Sequence, residues 1–106
     1  MEPATQRLSD ARAVLRALRA ELAASMAAEA CLRQTALLER APDGRRGATP
    51  LAEALAQATD LRAGREELRV RALWIAVAGA EASVRSAEVD HSVCSALGAW
   101  SGTVRG

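Results

Sequence analysis

Apolar side chains recur every seven residues along two long stretches of this sequence, and no proline interrupts either one. A heptad repeat sustained over several turns predicts α-helices that pack side by side, as in coiled coils. In the first stretch the repeat falls on Leu8, Leu15 and Leu22, with Ala11, Leu18 and Ser25 beside them. In the second stretch it falls on Leu61, Leu68, Ile75, Ala82, Val89 and Ala96, with Arg65, Ala72, Gly79, Ser86, Val93 and Trp100 beside them. We therefore predict an all-α chain whose two long helices pack as an antiparallel hairpin.

Prolines and a glycine mark the predicted helix ends. Pro3 and Pro50 suit the first position of a helix, where the missing N–H is not needed, and the Thr49 hydroxyl can cap the second helix. Pro42 disfavours helix in the residue before it, and Gly98 is a candidate C-terminal cap. The predicted organisation is one helical domain over residues 1–106, with helices over about 3–41 and 50–98, a turn over 42–49 and a frayed tail over 99–106.

The composition supports helices and argues against several classes of function. Alanine and leucine, which lead the helix-propensity ranking, supply 26 and 13 of the 106 residues. The 14 basic residues nearly balance the 13 acidic ones, so the chain has no general attraction to nucleic acid or anionic lipid. The longest apolar run, residues 72–80, is far shorter than the roughly 20 residues that span a bilayer. Because the N-terminus also shows no signal-peptide pattern, we expect a soluble, cytoplasmic protein with no membrane partner.

The two predicted helices differ in length. In a hairpin closed at residues 42–48, residues whose numbers sum to about 91 lie opposite each other, so the chain after about Glu88 has no partner in the first helix. That segment nevertheless contains an apolar stripe at helical spacing. Two arrangements would cover the stripe. Either the second helix breaks near Ser86 and a third helix folds back, or another chain packs against the exposed face.

The stretch from residue 72 to residue 80 is apolar on every face, and one neighbouring helix cannot cover all sides of another. This favours two hairpins associating into a helical bundle. The main hypothesis is a non-enzymatic protein–protein interaction module, such as an adaptor, chaperone or assembly subunit, that forms a homodimer or binds a partner's helix. The predicted partner-binding residues are Leu73, Trp74, Ile75, Val77, Val89, Val93, Leu97 and Trp100.

A metal-binding bundle is the first alternative hypothesis. Glu88 and His91 lie three residues apart, which resembles the paired ligands of ferritin-like di-iron bundles, and Cys94 follows three residues later. The resemblance implies an oxidase or a metal-storage protein. A di-iron centre needs further carboxylates, and the candidates Glu21 and Glu29 are predicted to lie opposite residues 70 and 62 instead. The main hypothesis therefore includes no metal and no cofactor.

Nucleic-acid binding through arginine is the second alternative. Arg12, Arg16 and Arg19 form a stripe on the first helix, and Arg45 and Arg46 lie in the predicted turn. No aromatic residues interleave with these arginines, so base stacking is not available to support the phosphate contacts. Catalysis is also not expected, because the chain has a single His and no glycine-rich phosphate loop.

Overall fold

The protein forms two long α-helices. The computed structural model describes residues 2–39 and 49–105. Helix α1 runs over Pro3–Leu38 and helix α2 over Pro50–Arg105. No β-strand occurs within these two described ranges. The predicted all-α hairpin is confirmed, while the predicted turn lies, apart from Thr49, outside the described residues.

The start of α2 follows the capping prediction. The backbone N–H of Ala52 donates to the Thr49 hydroxyl oxygen at 3.1 Å, and the N–H of Glu53 donates to the Thr49 carbonyl oxygen at 2.9 Å. Pro50 occupies the first helical position, where its missing N–H is not needed. The carboxylate of Glu53 in the first turn also suits the positive end of the helix dipole. The Thr49 cap is thus confirmed.

Both predicted helix ends need correction. Helix α1 ends at Leu38, three residues before the predicted end at residue 41. Helix α2 continues through Gly98 to Arg105, so the predicted end at residue 98 is wrong. A glycine ends a helix only when it turns into the left-handed conformation, and inside a helix it costs about 1 kcal/mol relative to Ala. Because α2 also passes through Ser86 without a break, the alternative with a third helix is wrong.

The chain packs as two compact units, each made from a segment of both helices. The first unit combines residues 1–19 with residues 75–106. Its two helix segments run antiparallel, and the Arg19 guanidinium lies 3.9 Å from the Glu81 carboxylate across them. Its core consists of Ala4, Leu8 and Leu15 from α1 with Val77, Ala80, Val84 and Ala87 from α2.

The second unit comprises residues 20–74 and is also antiparallel. The Thr59 hydroxyl donates to the Glu39 carboxylate at 3.0 Å, and Arg33 lies 3.4 Å from the Glu67 carboxylate. Its buried residues are Leu22 and Ser25 from α1 with Ala56, Thr59, Ala63, Val70 and Leu73 from α2. The core of this unit therefore includes two hydroxyl side chains, those of Ser25 and Thr59.

The heptad positions predicted for α1 are confirmed. Leu8, Leu15, Leu22 and Ser25 are buried. Ala11 and Leu18 are half-buried at the alternate positions of the repeat. The leucines therefore point at α2 along both units.

On α2 the packed face is a different one from the face that the sequence predicted. The residues buried against α1 form what we call the inner seam, and they are separated by three or four residues, or by a whole heptad. The inner seam is Ala56, Thr59, Ala63, Val70, Leu73, Val77, Ala80, Val84 and Ala87. The predicted seam, from Leu61 to Trp100, lies on the opposite face and is exposed. The inner seam is built mostly from small side chains, which interdigitate well with the leucines of α1.

The pairing of the two helices is also shifted. Three polar contacts cross between the described parts of the helices, Arg19–Glu81, Arg33–Glu67 and Glu39–Thr59. In each of them the two residue numbers add to 98 or 100 rather than to about 91. The prediction assumed a tight symmetric closure at residues 42–48, which the observed pairing does not follow. As a result α1 reaches further along α2 than predicted. In the first unit Ala4 is buried, and His91 and Cys94 are still half-buried at inner-seam spacing.

Replacing leucine by alanine should affect the free energy of unfolding differently on the two faces of α2. Leu73 is 8% exposed on the inner seam, whereas Leu68 is 65% exposed on the opposite face. We expect Leu73→Ala to lower the free energy of unfolding by about 2–4 kcal/mol, because it leaves a cavity against α1. Leu68→Ala should change it by less than about 0.5 kcal/mol. Urea unfolding of dilute protein, followed by circular dichroism, measures both values. Equal losses would contradict the assignment of the inner seam.

Candidate protein-interaction surface

In the first unit, α2 carries a second apolar seam on the face that turns away from α1. We call it the outer seam, and it comprises Ile75, Gly79, Ala82, Ser86, Val89, Val93, Ala96 and Trp100. All of these residues are exposed and are three or four residues apart. They lie two residues away from the inner-seam positions in the heptad, which places them on the opposite side of the helix. One helix thus has two packing faces, and α1 covers only one.

Four side chains of the outer seam are large, apolar and exposed. Ile75 is 76% exposed and Trp100 is 65% exposed, and both Val89 and Val93 are more than half exposed. Leu97, directly beside the seam, is also more than half exposed. Single exposed apolar residues are ordinary, but several aligned on one helix face are typical of an interaction site.

The structure changes which residues belong to the predicted partner-binding set. Leu73 and Val77 lie on the inner seam and are buried against α1, so they are not available to a partner. The other residues of the predicted set are exposed: Trp74, Ile75, Val89, Val93, Leu97 and Trp100. Trp74 belongs to the second unit, and its heptad position lies off the outer seam. That these six exposed residues contact a partner remains a prediction.

Two residues of the second unit were missing from the predicted partner-binding set. Leu61 and Leu68 are each 65% exposed and occupy the same heptad positions on α2 as Ile75 and Val89. The signal was already in the sequence, because the heptad includes both leucines. The predicted set includes only residues from the all-apolar stretch around 72–80 and from the segment after about Glu88, so it omits both leucines.

Small residues occupy the middle of the outer seam. A Cβ atom added to Gly79 would meet no described atom within 4 Å, so packing against α1 does not require a glycine there. Gly79 also costs helix stability without any compensating contact within the described parts of the chain. Close approach of another backbone would explain the residue, since glycine, Ala82 and Ser86 leave room for one.

Charged side chains flank the outer seam. Arg85 and Glu88, together with Val89, Ser92 and Val93, line an open groove of about 430 Å³. Arg85 lies on one side of the seam and Asp90 on the other, and both are exposed. Neither forms an ion pair with any residue that the structure describes, in contrast to Glu81, which pairs with Arg19. The groove is open, and Arg85, Glu88 and Ser92 supply its polar side chains.

The second unit places its charges differently. Arg33 bonds Glu29 at 2.8 Å and Glu67 at 3.4 Å, and Arg71 bonds the same Glu67 at 2.8 Å. These four side chains form a network that joins α1 to α2, in which both arginines are exposed and both glutamates are half-buried. Ion pairs at the surface contribute little stability individually, and of these three pairs only Arg33–Glu67 crosses from α1 to α2.

The residues of the metal-binding hypothesis do not form a site in the described chain. Glu88 is exposed, whereas His91 and Cys94, three and six residues later on α2, are half-buried at inner-seam spacing. His91 lines a groove with Arg12 and Arg16, whose positive charges oppose a bound cation. No group of three or more His, Cys, Asp or Glu residues within the described residues could hold a metal ion.

The basic stripe of the nucleic-acid hypothesis is partly neutralised. Arg19 pairs with Glu81, which leaves Arg12 and Arg16 beside His91 in one groove of the first unit. Arg45 and Arg46 lie outside the described residues. The structure therefore brings together only part of the predicted basic surface.

Comparison with protein-family models finds no match, and neither curated proteins nor solved structures give one. None of the described helices is long and apolar enough to cross a membrane.

The rates at which the two cysteine thiols react with a reagent test which faces of the helices are covered. Both are free thiols, and Cys31 is exposed on α1 whereas Cys94 is half-buried. In the native protein we expect a thiol reagent such as DTNB to label Cys31 several-fold faster than Cys94, because α1 restricts access to Cys94. The variants Cys31→Ser and Cys94→Ser isolate each rate, and unfolding in urea should equalise them. Equal rates in the native state would show that α1 does not shield α2 at Cys94.

Proposed function

We propose that this chain is a non-enzymatic helical interaction module that binds another helix through the outer seam of α2. The helix that binds is either that of a second copy of this chain or a helix of another protein. Either kind of binding would suit an adaptor, a chaperone or an assembly subunit. The observation that carries the proposal is the alignment of large, more than half exposed apolar side chains on one face of one helix. These are Ile75, Val89, Val93, Leu97 and Trp100.

The spacing of the outer seam favours a helical partner. A seam with alternating steps of three and four residues fits the knobs-into-holes packing of a second helix, and it fits a sheet or an irregular loop poorly. Fully burying a Val, Leu or Ile side chain contributes about 1.5–3 kcal/mol. Association itself costs roughly 4–15 kcal/mol, so several of these side chains must be covered together. A seam that extends over several turns meets this requirement.

Helix α1 packs on the face of α2 that lies opposite the proposed binding face. Its leucines pack on the inner seam, so the first-unit segment of α2 is held helical before a partner arrives. An isolated helix would pay the ordering entropy on binding, and a preformed one does not. The proposal therefore gives each helix a distinct role, since α1 orders the face that α2 presents.

A pair of valine substitutions tests the proposal. Val93 on the outer seam is 52% exposed and Val14 on α1 is 54% exposed, so Val93→Glu and Val14→Glu add the same charge at equally open positions. We expect Val93→Glu to weaken self-association by at least about 100-fold, because a carboxylate would be buried without a partner. Val14→Glu should leave self-association unchanged.

Sedimentation velocity over a range of concentrations measures this association, and circular dichroism verifies that both variants keep wild-type helicity. If the two variants associate equally well, the outer seam is not the contact surface and the proposal fails. A wild-type chain that stays monomeric at its highest soluble concentration would remove self-association and leave only the partner-helix route.

A further inference from the structure

We infer that the helix covering the outer seam of the first unit is the same segment of a second copy, parallel and in register, with Arg85 of each copy paired to Asp90 of the other. This inference rests on the proposed function and specifies its partner. It is carried by the placement of two charged side chains relative to the seam.

The two charges occupy the flanking positions of the outer seam. Arg85 immediately precedes the seam residue Ser86, and Asp90 immediately follows the seam residue Val89. In a two-stranded coiled coil these flanking positions form the ion pairs between helices that determine partner choice and orientation. When the two helices are parallel and in register, a flanking residue at position i, such as Arg85, faces the residue at position i+5 on the other helix. Arg85 and Asp90 have this separation.

Each flank of the outer seam holds charge of one sign. The flank that contains Arg85 is otherwise Ala78, Ser92 and Ala99. The flank that contains Asp90 is otherwise Ala76, Ser83 and Leu97. In a parallel pair the two different flanks meet, so two Arg–Asp pairs form by symmetry. In an antiparallel pair of these segments each flank meets its own copy, and no opposite charges come together.

Both charges are available for this pairing. Neither Arg85 nor Asp90 forms an ion pair within the described part of its own chain, and both are exposed. The surface is thus complementary to itself in charge, which is the property that an interface between two copies related by a twofold axis requires.

The seam residues are compatible with the in-register arrangement. Identical residues meet across a parallel, in-register pair, so Ile75, Val89, Val93 and Trp100 would each pack against their own copies. Gly79 and Ala82 would let the two backbones approach closely between these layers. The segment from residue 75 to residue 100 is about 39 Å long at the rise of an α-helix, which is several heptads of contact.

Charge reversal in the full chain tests the inference. The variants are Arg85→Glu, Asp90→Arg and the double variant, and Arg12→Glu on α1 is the matched control for the change in net charge. We expect each single reversal to weaken the dimer about tenfold, because it replaces two attractive pairs by two repulsive ones. The double variant should return to within about threefold of wild type, and Arg12→Glu should have no effect. Sedimentation equilibrium at low ionic strength measures the dissociation constants, since salt screens exposed pairs.

Disulfide formation tests the orientation independently. Ala96 belongs to the outer seam, and in a parallel, in-register pair it lies next to its own copy. In a Cys31→Ser and Cys94→Ser background, Ala96→Cys should oxidise to a covalent dimer that keeps native helicity.

Three results would overturn the inference. In the first, the double reversal fails to restore the dimer and Ala96→Cys does not cross-link. In the second, Asp90→Arg is rescued by Arg62→Glu or Arg69→Glu instead of Arg85→Glu. Arg62 and Arg69 occupy the heptad position of Asp90 in the second unit, so this rescue would indicate an antiparallel pair. In either case association that remains sensitive to Val93→Glu would leave the proposed function standing. In the third, the wild-type chain is monomeric at every concentration, which removes the second copy as the partner.

Discussion

The structure depends on a helix that carries apolar side chains at heptad spacing on two opposite faces. On one face of α2, small residues and valines meet the leucines of α1 and form the core of both units. On the other face, apolar side chains that include Ile75, Val89 and Trp100 are left exposed. A helix that is apolar on opposite faces must be covered on both sides, and α1 provides only one cover. One apolar face of α2 is therefore left uncovered, and this face is the candidate interaction surface.

The inner seam shows why α1 packs on that face and not on the other. Leu8, Leu15 and Leu22 are bulky, and residues such as Ala63, Ala80 and Ala87 lie on the α2 face that receives the leucines of α1. Large side chains against small ones fill space at the density of a protein interior, whereas leucine against Leu61, Leu68 and Ile75 would hold the helices further apart. In the second unit the hydrogen bond from Thr59 to Glu39 adds a polar contact that only one alignment of the helices can make.

The fold class, the cap at Thr49 and the seam of α1 could be predicted from the sequence, because propensity, capping and a single apolar face all agree there. The packed face of α2 could not, since both of its faces satisfy the heptad rule and only the shape of the opposing helix decides between them. The alignment of the two helices could not be predicted either, because it depends on where the hairpin closes, and the sequence prediction assumes closure at residues 42–48. Of the predicted partner-binding residues, Leu73 and Val77 were misplaced for the same reason, while the stripe from Val89 to Trp100 lies on the exposed face as expected.

The central claim is that association covers the outer seam, and the fluorescence of Trp100 tests it most directly. In a Trp74→Phe variant the chain has Trp100 as its single tryptophan. We predict that its emission maximum shifts to shorter wavelength as the concentration rises through the range in which the sedimenting mass increases, because the indole leaves water. An emission maximum that stays at the wavelength of a hydrated indole while the mass increases would contradict the account, since the chain would then associate through some other surface.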